Sequence, residues 1–474
     1  MTELDTHPPL LGQVPAAAGP THDAATAALV EMQAVLPGQV LLPGDPGWDA
    51  GRLGWTLTVD QQPFAVVTVQ DAEDVVAAVL CAARHGLSVS TQPVGHGATT
   101  ALNGTVLLRT GALQDLHIDV ERRVARVGAG VKWGVLLTAL EPTGLTALAG
   151  SSGDPSVVGF TLGGGLSWFS RALGLCAHST VAFDIVDGEG VQRRVTSASD
   201  PDLFWALRGG GGDFGVVLSV EIALHDAGPL VGGRLMWPME MARPVLHAFR
   251  RITAGAPDEL TLWAHLFRFP PVPELPEHLR GRAFVSVDLT FLGSRSELDR
   301  LLAPLRDLPV LVLDTVGPVP LSELGGIAAE PVDPMPTQEY SELLRSLDEA
   351  TVDRLVDAAG AGADLPLAVV QIRHLGGALA RATSEDGPNG PVEEEYSVFC
   401  LGVPVAPGLP EAIEAAFGAV RTALAGQRSG RALFNFLGAE SELGSTFTPS
   451  ARARLRRIKG ATDPNGVFRS NRPV

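Results

Sequence analysis

The stretch Gln92–Thr110 reads QPVGHGATTALNGTVLLRT and places a single histidine between two glycines. Because Gly95 and Gly97 have no side chains, the backbone around His96 can adopt positive φ angles and bring its amide groups close to an anion. A short apolar strand is expected directly after this loop. The pattern predicts a loop that presents His96 to a bound group. The competing interpretation is a polar surface histidine on structural turns.

The composition narrows the class of protein and its partners. The 474 residues include 53 acidic and 35 basic residues, a formal net charge of −18, which argues against nucleic acid as a partner. A hydrophobic fraction of 45% supports a large core and two or three domains. The start MTELDTHPPLLGQ lacks the pattern of a signal peptide, and no apolar run is long enough to span a bilayer. We therefore expect a cytoplasmic protein without a membrane partner.

The order of predicted elements changes near residue 229. Residues 59–228 mix short strands, hairpins and helices, such as the helix after Asp71, a residue type that caps helix N-termini. After residue 229, long strand patterns such as AFVSVDLTFLG and EYSVFCLGVPV alternate with helical segments. This order predicts an α+β fold in which an antiparallel sheet is covered by helices.

Two further glycine clusters follow the His96 loop. They read GFTLGGG over Gly159–Gly165 and RGGGGDFGVV over Arg208–Val217. The second contains a G-x-G-x-x-G match, but a predicted helix precedes it and a predicted strand follows it. That order is the inverse of a nicotinamide-binding Rossmann motif, so we reject that interpretation. No metal ligand lies at a suitable spacing from His96, and the hydrolase motif G-x-S-x-G is absent. Attachment of a cofactor to the imidazole remains a third possibility.

Taken together, these segments resemble the berberine-bridge-enzyme-like flavin oxidoreductases of the vanillyl-alcohol-oxidase superfamily. The resemblance runs through VGHG, GFTLGGGLSWFSRALGL, DPDLFWALRGGGGDFGVV, VQIRHLGGALAR and RLRRIKGATDPNGVFRSN. It implies an FAD-binding domain of the PCMH type over residues 1–228, with its core at 59–228. It also implies a substrate domain over 229–425 and a C-terminal segment, 426–474, that returns to the FAD domain.

By this resemblance, FAD is bound covalently through His96 only. Ser152 stands where many relatives carry a second attaching cysteine, and Pro155 stands where relatives carry a small residue that controls access of oxygen to the flavin. No metal is expected. The residues expected to contact FAD are Pro93, Val94, Gly95, His96, Gly97, Ser152, Gly153, Gly159, Gly163, Gly212, Gly215, Val217, Asn435 and Asn465.

The resemblance also implies a reaction: hydride transfer to FAD from a C–H next to an OH or amine of a bulky small molecule such as a secondary metabolite, with oxygen as electron acceptor. The tyrosine often used as base is replaced by Leu433 in LFNF. We predict His374, on a strand expected to face the substrate, as the base. Asp154, a carboxyl whose burial would raise its pKa, is the second candidate. The alternatives are a non-redox flavoprotein, in which FAD is a scaffold for ligand binding or cyclisation, and a covalent-flavin sugar oxidase.

Overall fold

A computed structural model describes residues 22–384, 386–439, 441 and 443–474 of the chain. Within these residues, helices and strands alternate along the whole length. The α-helices are α1 (His22–Val35), α2 (Trp48–Arg52), α3 (Ala72–Arg84), α4 (Trp133–Leu140), α5 (Val157–Leu162), α6 (Ser170–Leu173), α7 (Pro201–Leu207), α8 (Ala242–Thr253), α9 (Arg295–Leu301), α10 (Ala303–Arg306), α11 (Glu349–Ala359), α12 (Leu409–Ala423) and α13 (Pro449–Thr462). No helix in the described part of the chain is long and apolar enough to cross a bilayer.

The first sheet lies closest to the N-terminus and has four strands. They are β1 (Val40–Leu41), β2 (Ala65–Thr68), β3 (Val89–Thr91) and β4 (Val106–Arg109). The order is β1-β2-β4-β3, with β2 and β3 parallel to β4. Helix α3 connects β2 to β3, and Asp71 caps it by accepting a hydrogen bond from the Asp74 amide at 3.0 Å, as predicted. Strand β3 leads directly into the His96 loop.

The second sheet is antiparallel and has five strands, in the order β5-β6-β10-β8-β9. Its strands are β5 (Leu116–Asp119), β6 (Val124–Gly128), β8 (Thr180–Val186), β9 (Gln192–Val195) and β10 (Val216–Ala223), and a separate pair joins β7 (Leu145–Thr146) to β11 (His225–Asp226). The hairpins predicted within residues 59–228 are confirmed as the pairs β5–β6 and β8–β9. We call these two sheets with their helices the N-terminal unit.

A third sheet, the large sheet, has eight antiparallel strands. They are β12 (Leu230–Pro238), β13 (Leu260–Arg268), β14 (Ala283–Leu292), β15 (Leu313–Asp314), β16 (Gly317–Pro318), β17 (Gln338–Leu344), β18 (Val369–His374) and β19 (Tyr396–Gly402). The order is β15-β12-β14-β13-β18-β19-β17, and β16 also pairs with β12. The predicted α+β fold with a helix-covered antiparallel sheet is confirmed.

The large sheet has two faces of different composition, because alternate side chains of a strand point to opposite faces. The outer face is apolar, and residues such as Leu262, Val287 and Ile372 pack there with Phe249 of α8 and Phe417 of α12. The inner face meets the N-terminal unit. The backbone oxygen of Trp168 accepts hydrogen bonds from Thr261 at 2.7 Å and Thr290 at 3.3 Å, and its ring stacks on Trp263 at 3.5 Å. Anything bound between the two parts therefore meets the inner face.

The end of the chain returns to the N-terminal unit. Val89 and Phe468 form a parallel bridge beside β3, and the Lys459 ammonium group donates to the Asp213 and Phe468 backbone oxygens at 2.6 and 2.8 Å. Asp463 accepts hydrogen bonds from the Val467 and Phe468 amides, both at 2.8 Å. These contacts fix the turn DPNGVF.

Candidate functional site

The His96 loop is held by close packing of glycines. Gly95 has φ of 100°, a conformation that other residues rarely adopt, and a Cβ atom there would lie 2.5 Å from the Gly54 Cα. Gly97 has nothing within 4 Å of the position of a Cβ atom, so open space lies beside the loop. Pro93, Val94 and His96 are half-buried in the same loop. The loop thus keeps His96 at the edge of an open region.

His96 is oriented by an ionic network with Asp154. The Nε2 atom of His96 lies 2.7 Å from Asp154 Oδ2, and Lys132 Nζ donates to Asp154 Oδ1 at 2.5 Å. The Trp55 ring stacks on the imidazole at 4.7 Å with an interplanar angle of 27°. Trp55, Lys132 and Asp154 are distant from His96 in the sequence. No sequence motif indicated that Lys132 or Trp55 would lie beside it.

Asp154 differs from the expectation in its ionisation. Burial disfavours the carboxylate, but hydrogen bonds from His96 and Lys132 outweigh that cost, and the pKa of Asp154 is lowered below its usual value. The expectation that burial raises the pKa of Asp154 is therefore wrong, because it left out the hydrogen bonds that His96 and Lys132 donate to the carboxylate. A carboxylate with a lowered pKa is a poor base for a substrate. The geometry therefore favours a role in which Asp154 orients His96.

The loop that carries Asp154 is built against the start of α4. The Trp133 and Gly134 amides donate to the Pro155 and Gly153 backbone oxygens at 3.1 and 2.9 Å. The Ser152 hydroxyl accepts from the Asp154 amide at 3.2 Å. On the other side, a Cβ atom on Gly325 would lie 3.3 Å from the Gly153 nitrogen. Backbone contacts on both sides therefore fix the carboxylate.

Asn435 fastens the second glycine cluster. Its Oδ1 accepts from the Gly165 amide at 2.8 Å, and its Nδ2 donates to the Phe160 backbone oxygen at 3.3 Å. A Cβ atom on Gly163 would overlap the Asn435 amide, and one on Gly159 would lie 4.0 Å from Pro93. This cluster thus packs next to the His96 loop. Leu433, two residues before Asn435, is buried in an apolar cluster.

The inner face of the large sheet contains buried polar and charged residues that sequence reasoning missed. Arg373 is 4% exposed, and its guanidinium lies 4.0 Å from the Trp263 ring centroid and 4.7 Å from that of Phe436. It donates to Gln371 Oε1 at 2.5 Å and to Ser151 Oγ, in the Asp154 loop, at 3.4 Å. Among the described residues, no acceptor bonds to its Nη1 atom. Burial lowers the pKa of Arg373 to about 10, so the group stays cationic at neutral pH.

Other polar groups of the inner face are paired. Asp288, fully buried, accepts two hydrogen bonds from Arg234 at 2.6 Å. The His265 imidazole lies 2.5 Å from the Gln371 amide, and burial lowers its pKa well below the usual value, so it is neutral. Glu339 accepts from the Thr337 hydroxyl at 3.0 Å, and burial raises the pKa of its carboxyl. Among its described residues, the inner face thus presents the Arg373 guanidinium, whose Nη1 has no acceptor, and the Glu339 carboxyl, whose raised pKa favours protonation.

Comparison with known protein families identifies a domain within the N-terminal unit. Residues 63–196 match the family described as FAD binding domain. The chain contains an FAD-binding domain. These residues hold both the His96 loop and the Asp154 loop, so the contact between the two loops lies inside the FAD-binding domain.

Similar proteins include a fungal monooxygenase and a bacterial oxidase. The FAD-dependent monooxygenase FUP4 of Fusarium proliferatum (strain ET1) is 32% identical over 219 residues, which cover 45% of this chain but only 42% of the fungal protein. The (R)-6-hydroxynicotine oxidase of Paenarthrobacter nicotinovorans is 24% identical over 468 residues, 92% of this chain and 96% of that protein.

The fold extends the likeness to the whole chain. The structure of Physcomitrella patens BBE-like 1 superposes with a TM-score of 0.80 at 19% identity and covers 94% of this chain and 98% of that one. The predicted resemblance is therefore confirmed in sequence at the level of an FAD-binding domain, and its berberine-bridge-enzyme-like part is confirmed as a likeness in fold.

The arrangement around His96 fits FAD. Nε2 is held by Asp154, whereas Nδ1 makes no hydrogen bond to the described residues and the side chain is 30% exposed. A ring nitrogen with a free lone pair beside open space can reach a group bound against the FAD-binding domain. The cysteines offer no comparable nucleophile: Cys81, Cys176 and Cys400 are buried, and burial raises the pKa of Cys176 to about 12.

The third glycine cluster has the predicted inverted order, with α7 before it and β10 after it. A Cβ atom on Gly212 would lie 3.8 Å from the Ser470 Cβ, and one on Gly215 would lie 3.1 Å from the Val186 backbone oxygen. Val217 is buried at the start of β10. Between them, Asp213 accepts from the Ser470 amide at 2.7 Å. The cluster therefore fastens the C-terminal tail to the FAD-binding domain.

Asn465 does not lie with the His96 loop. It is exposed and lines a surface cleft of about 560 Å³ together with Gly188 and Asp200. The structure instead places Asn471 there: its Oδ1 accepts from the Thr99 amide at 2.8 Å, and its Nδ2 donates to Gln92 at 3.1 Å. The motif DPNGVF drew attention to Asn465, but the chain reaches the loop only six residues later, at Asn471.

His374 also lies elsewhere than expected. It follows Val370 and Ile372 on the outer face, where its ring contacts Tyr396 at 5.5 Å. Arg171 Nη1 donates to its Nε2 at 3.0 Å, and its buried Nδ1 has no partner among the described residues. Burial and the Arg171 charge lower the pKa of His374 to about 2. Strand β18 does contribute side chains to the inner face, but the one that points there is that of the preceding residue, Arg373.

Outside the site, one cluster within the described part of the chain offers metal-ligand atoms. Glu31, Cys81 and His85 bring one such atom each within 4.8 Å of one another. Cys81 lies in the last turn of α3, and His85, four residues later, directly follows that helix. The sequence motifs did not indicate this pair. Arg84 and His85 both contact the Glu31 carboxylate, which accounts for its charge without a metal.

Proposed function

We propose that this protein is an FAD-linked oxidoreductase that oxidises a C–H next to an OH or amine of a bulky small molecule, with dioxygen as the electron acceptor. The observation that carries the proposal is the arrangement of His96 in the FAD-binding domain, with Nδ1 free toward open space opposite a polar and buried sheet face. Bound FAD supplies a two-electron acceptor for such chemistry.

Several residues would hold FAD. We propose that His96 is the sole covalent attachment, since Ser152 offers no thiol and the three cysteines are buried. Backbone amides of the loop from Pro93 to Gly97 would bind its phosphates, because glycines allow the close approach that an anion requires. The loops at Ser152–Gly153, Gly159–Gly163 and Gly212–Val217 would complete the binding surface, and Asn435 would keep the second of them in shape.

The inner face would bind the substrate. Arg373 Nη1 is a hydrogen-bond donor without an acceptor among the residues that the structure describes. We therefore propose that it binds an oxygen of the substrate, since a charged donor in a buried site gives strong orientation. Trp263 and Phe436, which flank Arg373, give the same region an apolar surface for a bulky ring.

A base must take the proton that accompanies hydride loss from an alcohol or amine. His374 faces away, and Asp154 is held as a carboxylate by two partners. Glu339 is our candidate instead: it lies on the inner face, and burial raises its pKa toward the working range of a base. Its hydrogen bond from Thr337 orients one carboxyl oxygen.

The proposal is tested on the purified protein in three steps. After acid precipitation, yellow colour should remain with the polypeptide and map to the peptide with His96, and His96→Ala should release it. A panel of alcohols, amines and oligosaccharides should then contain a compound that bleaches the flavin without air. Finally, air should restore the colour. If no member of a broad panel bleaches it, the non-redox alternative becomes the better account; slow return in air with fast reaction on quinones would make the protein a dehydrogenase.

A further inference from the structure

We propose that Asp154, held by Lys132, positions His96 for its own attachment to FAD. This role rests on the proposed function, because it concerns the covalent bond that the proposal assigns to His96. It makes Asp154 a positioning residue rather than a base for the substrate.

The first step concerns the imidazole proton. A carboxylate only accepts hydrogen bonds, so the contact of 2.7 Å from Asp154 Oδ2 requires that His96 Nε2 carries a proton and donates it. In the neutral ring the lone pair then resides on Nδ1. The tautomer in which Nδ1 is the nucleophile is therefore selected by Asp154.

The second step concerns rigidity. The Asp154 side chain is 7% exposed and its other oxygen is bound by Lys132 at 2.5 Å. The Trp55 ring stacks on the face of the imidazole, and the Thr56 hydroxyl donates to the His96 backbone oxygen at 3.1 Å. The ring is thus restrained on its edge, on its face and at its backbone. Such preorganisation lowers the entropic cost of reaching the bonding geometry.

The third step concerns charge. Attachment forms a bond between His96 Nδ1 and the 8α carbon of the flavin and breaks one C–H bond of that methyl group. Two electrons and one proton, that of the methyl group, pass to the flavin ring, while the imidazole keeps its Nε2 proton. Dioxygen then takes up the two electrons, the flavin proton and a second proton, released by the imidazolium, and leaves as hydrogen peroxide. Because bonding through Nδ1 places positive charge on a ring still protonated at Nε2, a carboxylate at 2.7 Å stabilises the product side.

The ionisation of Asp154 supports this role. Its pKa is lowered despite burial, because His96 and Lys132 both donate to it, so the carboxylate is charged at neutral pH. Lys132, 48% exposed, contributes to that charge state from the solvent side.

The test follows acid-stable flavin per polypeptide in cells sampled at intervals after induction. We expect Asp154→Asn, which keeps an acceptor but removes the charge, to slow attachment by about 10- to 150-fold, the usual worth of a charge-assisted hydrogen bond. The variant should retain FAD that acid extracts, and Asp154→Glu should recover part of the rate. Lys132→Met should slow attachment less. Asp184→Asn is the matched control, since Asp184 accepts from Arg126 and Arg194 in the same domain but lies outside the site.

The outcomes separate this role from the proposed function. Attachment at the wild-type rate in both Asp154→Asn and Lys132→Met overturns the positioning role while the proposed function stands. Absence of acid-stable flavin from the wild-type protein overturns the covalent part of the proposed function and this role with it. If Asp154→Asn fails to fold, the Lys132→Met rate decides, because that variant keeps the carboxylate in place.

Discussion

The two faces of the large sheet show how differently one strand can be used. Along β18, Val370, Ile372 and His374 point to the outer face, while Gln371 and Arg373 point to the inner one. The outer face is packed by apolar side chains of α8, α11 and α12. The inner face keeps polar and charged groups with low exposure, which costs desolvation unless they are paired or bind something. The comparison teaches that stability and binding are divided between residues that alternate in sequence.

The largest expected effect on the rate is at Glu339, and Glu342 on the same strand, β17, serves as its comparison. Glu339 lies on the inner face, whereas Glu342 lies on the outer one and binds Arg428. We expect Glu339→Gln to lower the rate of flavin reduction by about 100- to 10,000-fold, the usual cost of losing a general base, with little change in Tm. Glu342→Gln should instead lower Tm and leave the rate within a few-fold of wild type. Equal rates for wild type and Glu339→Gln would remove Glu339 as the base.

A smaller effect is expected at Arg373. With a substrate found by the panel, Arg373→Met should lower kcat/KM by about 30- to 3000-fold, because a buried charged donor to the substrate is lost. Arg373→Lys keeps the charge but not the planar guanidinium group. Its kcat/KM should lie between those of wild type and Arg373→Met. Tm should stay level or rise, since the charge that disappears is buried and the Glu330 carboxylate, 3.8 Å from Arg373 Nη2, is beyond hydrogen-bond distance. A large fall in Tm at unchanged kcat/KM would show that Arg373 serves the fold.

The smallest effect is expected at His374, next in sequence to Arg373. His374→Gln keeps an acceptor for Arg171 and should leave flavin reduction near the wild-type rate. Its effect should appear in acid. The folded-state pKa is about 2 and the unfolded value is about 6.5, so below pH 6.5 only the unfolded chain binds the proton. Stability is therefore lost as pH falls, by about 2 kcal/mol at pH 5 relative to pH 8.

The measurement is the difference in Tm between pH 8 and pH 5. This difference should be smaller in His374→Gln than in wild type, whereas His117→Gln, at an exposed position, should leave it unchanged. A rate of flavin reduction that falls a hundredfold in His374→Gln would instead support His374 as the base and contradict the assignment of the two faces.

Much of the fold was predictable because its signals are local. The Asp71 cap, the two hairpins and the helix–strand order around Gly210–Gly215 depend on neighbours within a few residues, and all are confirmed. The site was less predictable. Alternation along β18 separates its residues into two sets, but it does not say which set meets the FAD-binding domain, and a shift by one residue exchanges them.

The sequence by itself determined that His96 stands on a glycine loop and that the loop belongs to an FAD-binding domain. Only the tertiary structure decided that Asp154, 58 residues later, accepts from its Nε2 and that Asn471 rather than Asn465 reaches the loop. The physical reason is that a motif fixes local backbone conformation, whereas tautomer, charge and pKa depend on groups that folding brings within hydrogen-bond distance. Burial alone would raise the pKa of Asp154; two donors from other loops lower it.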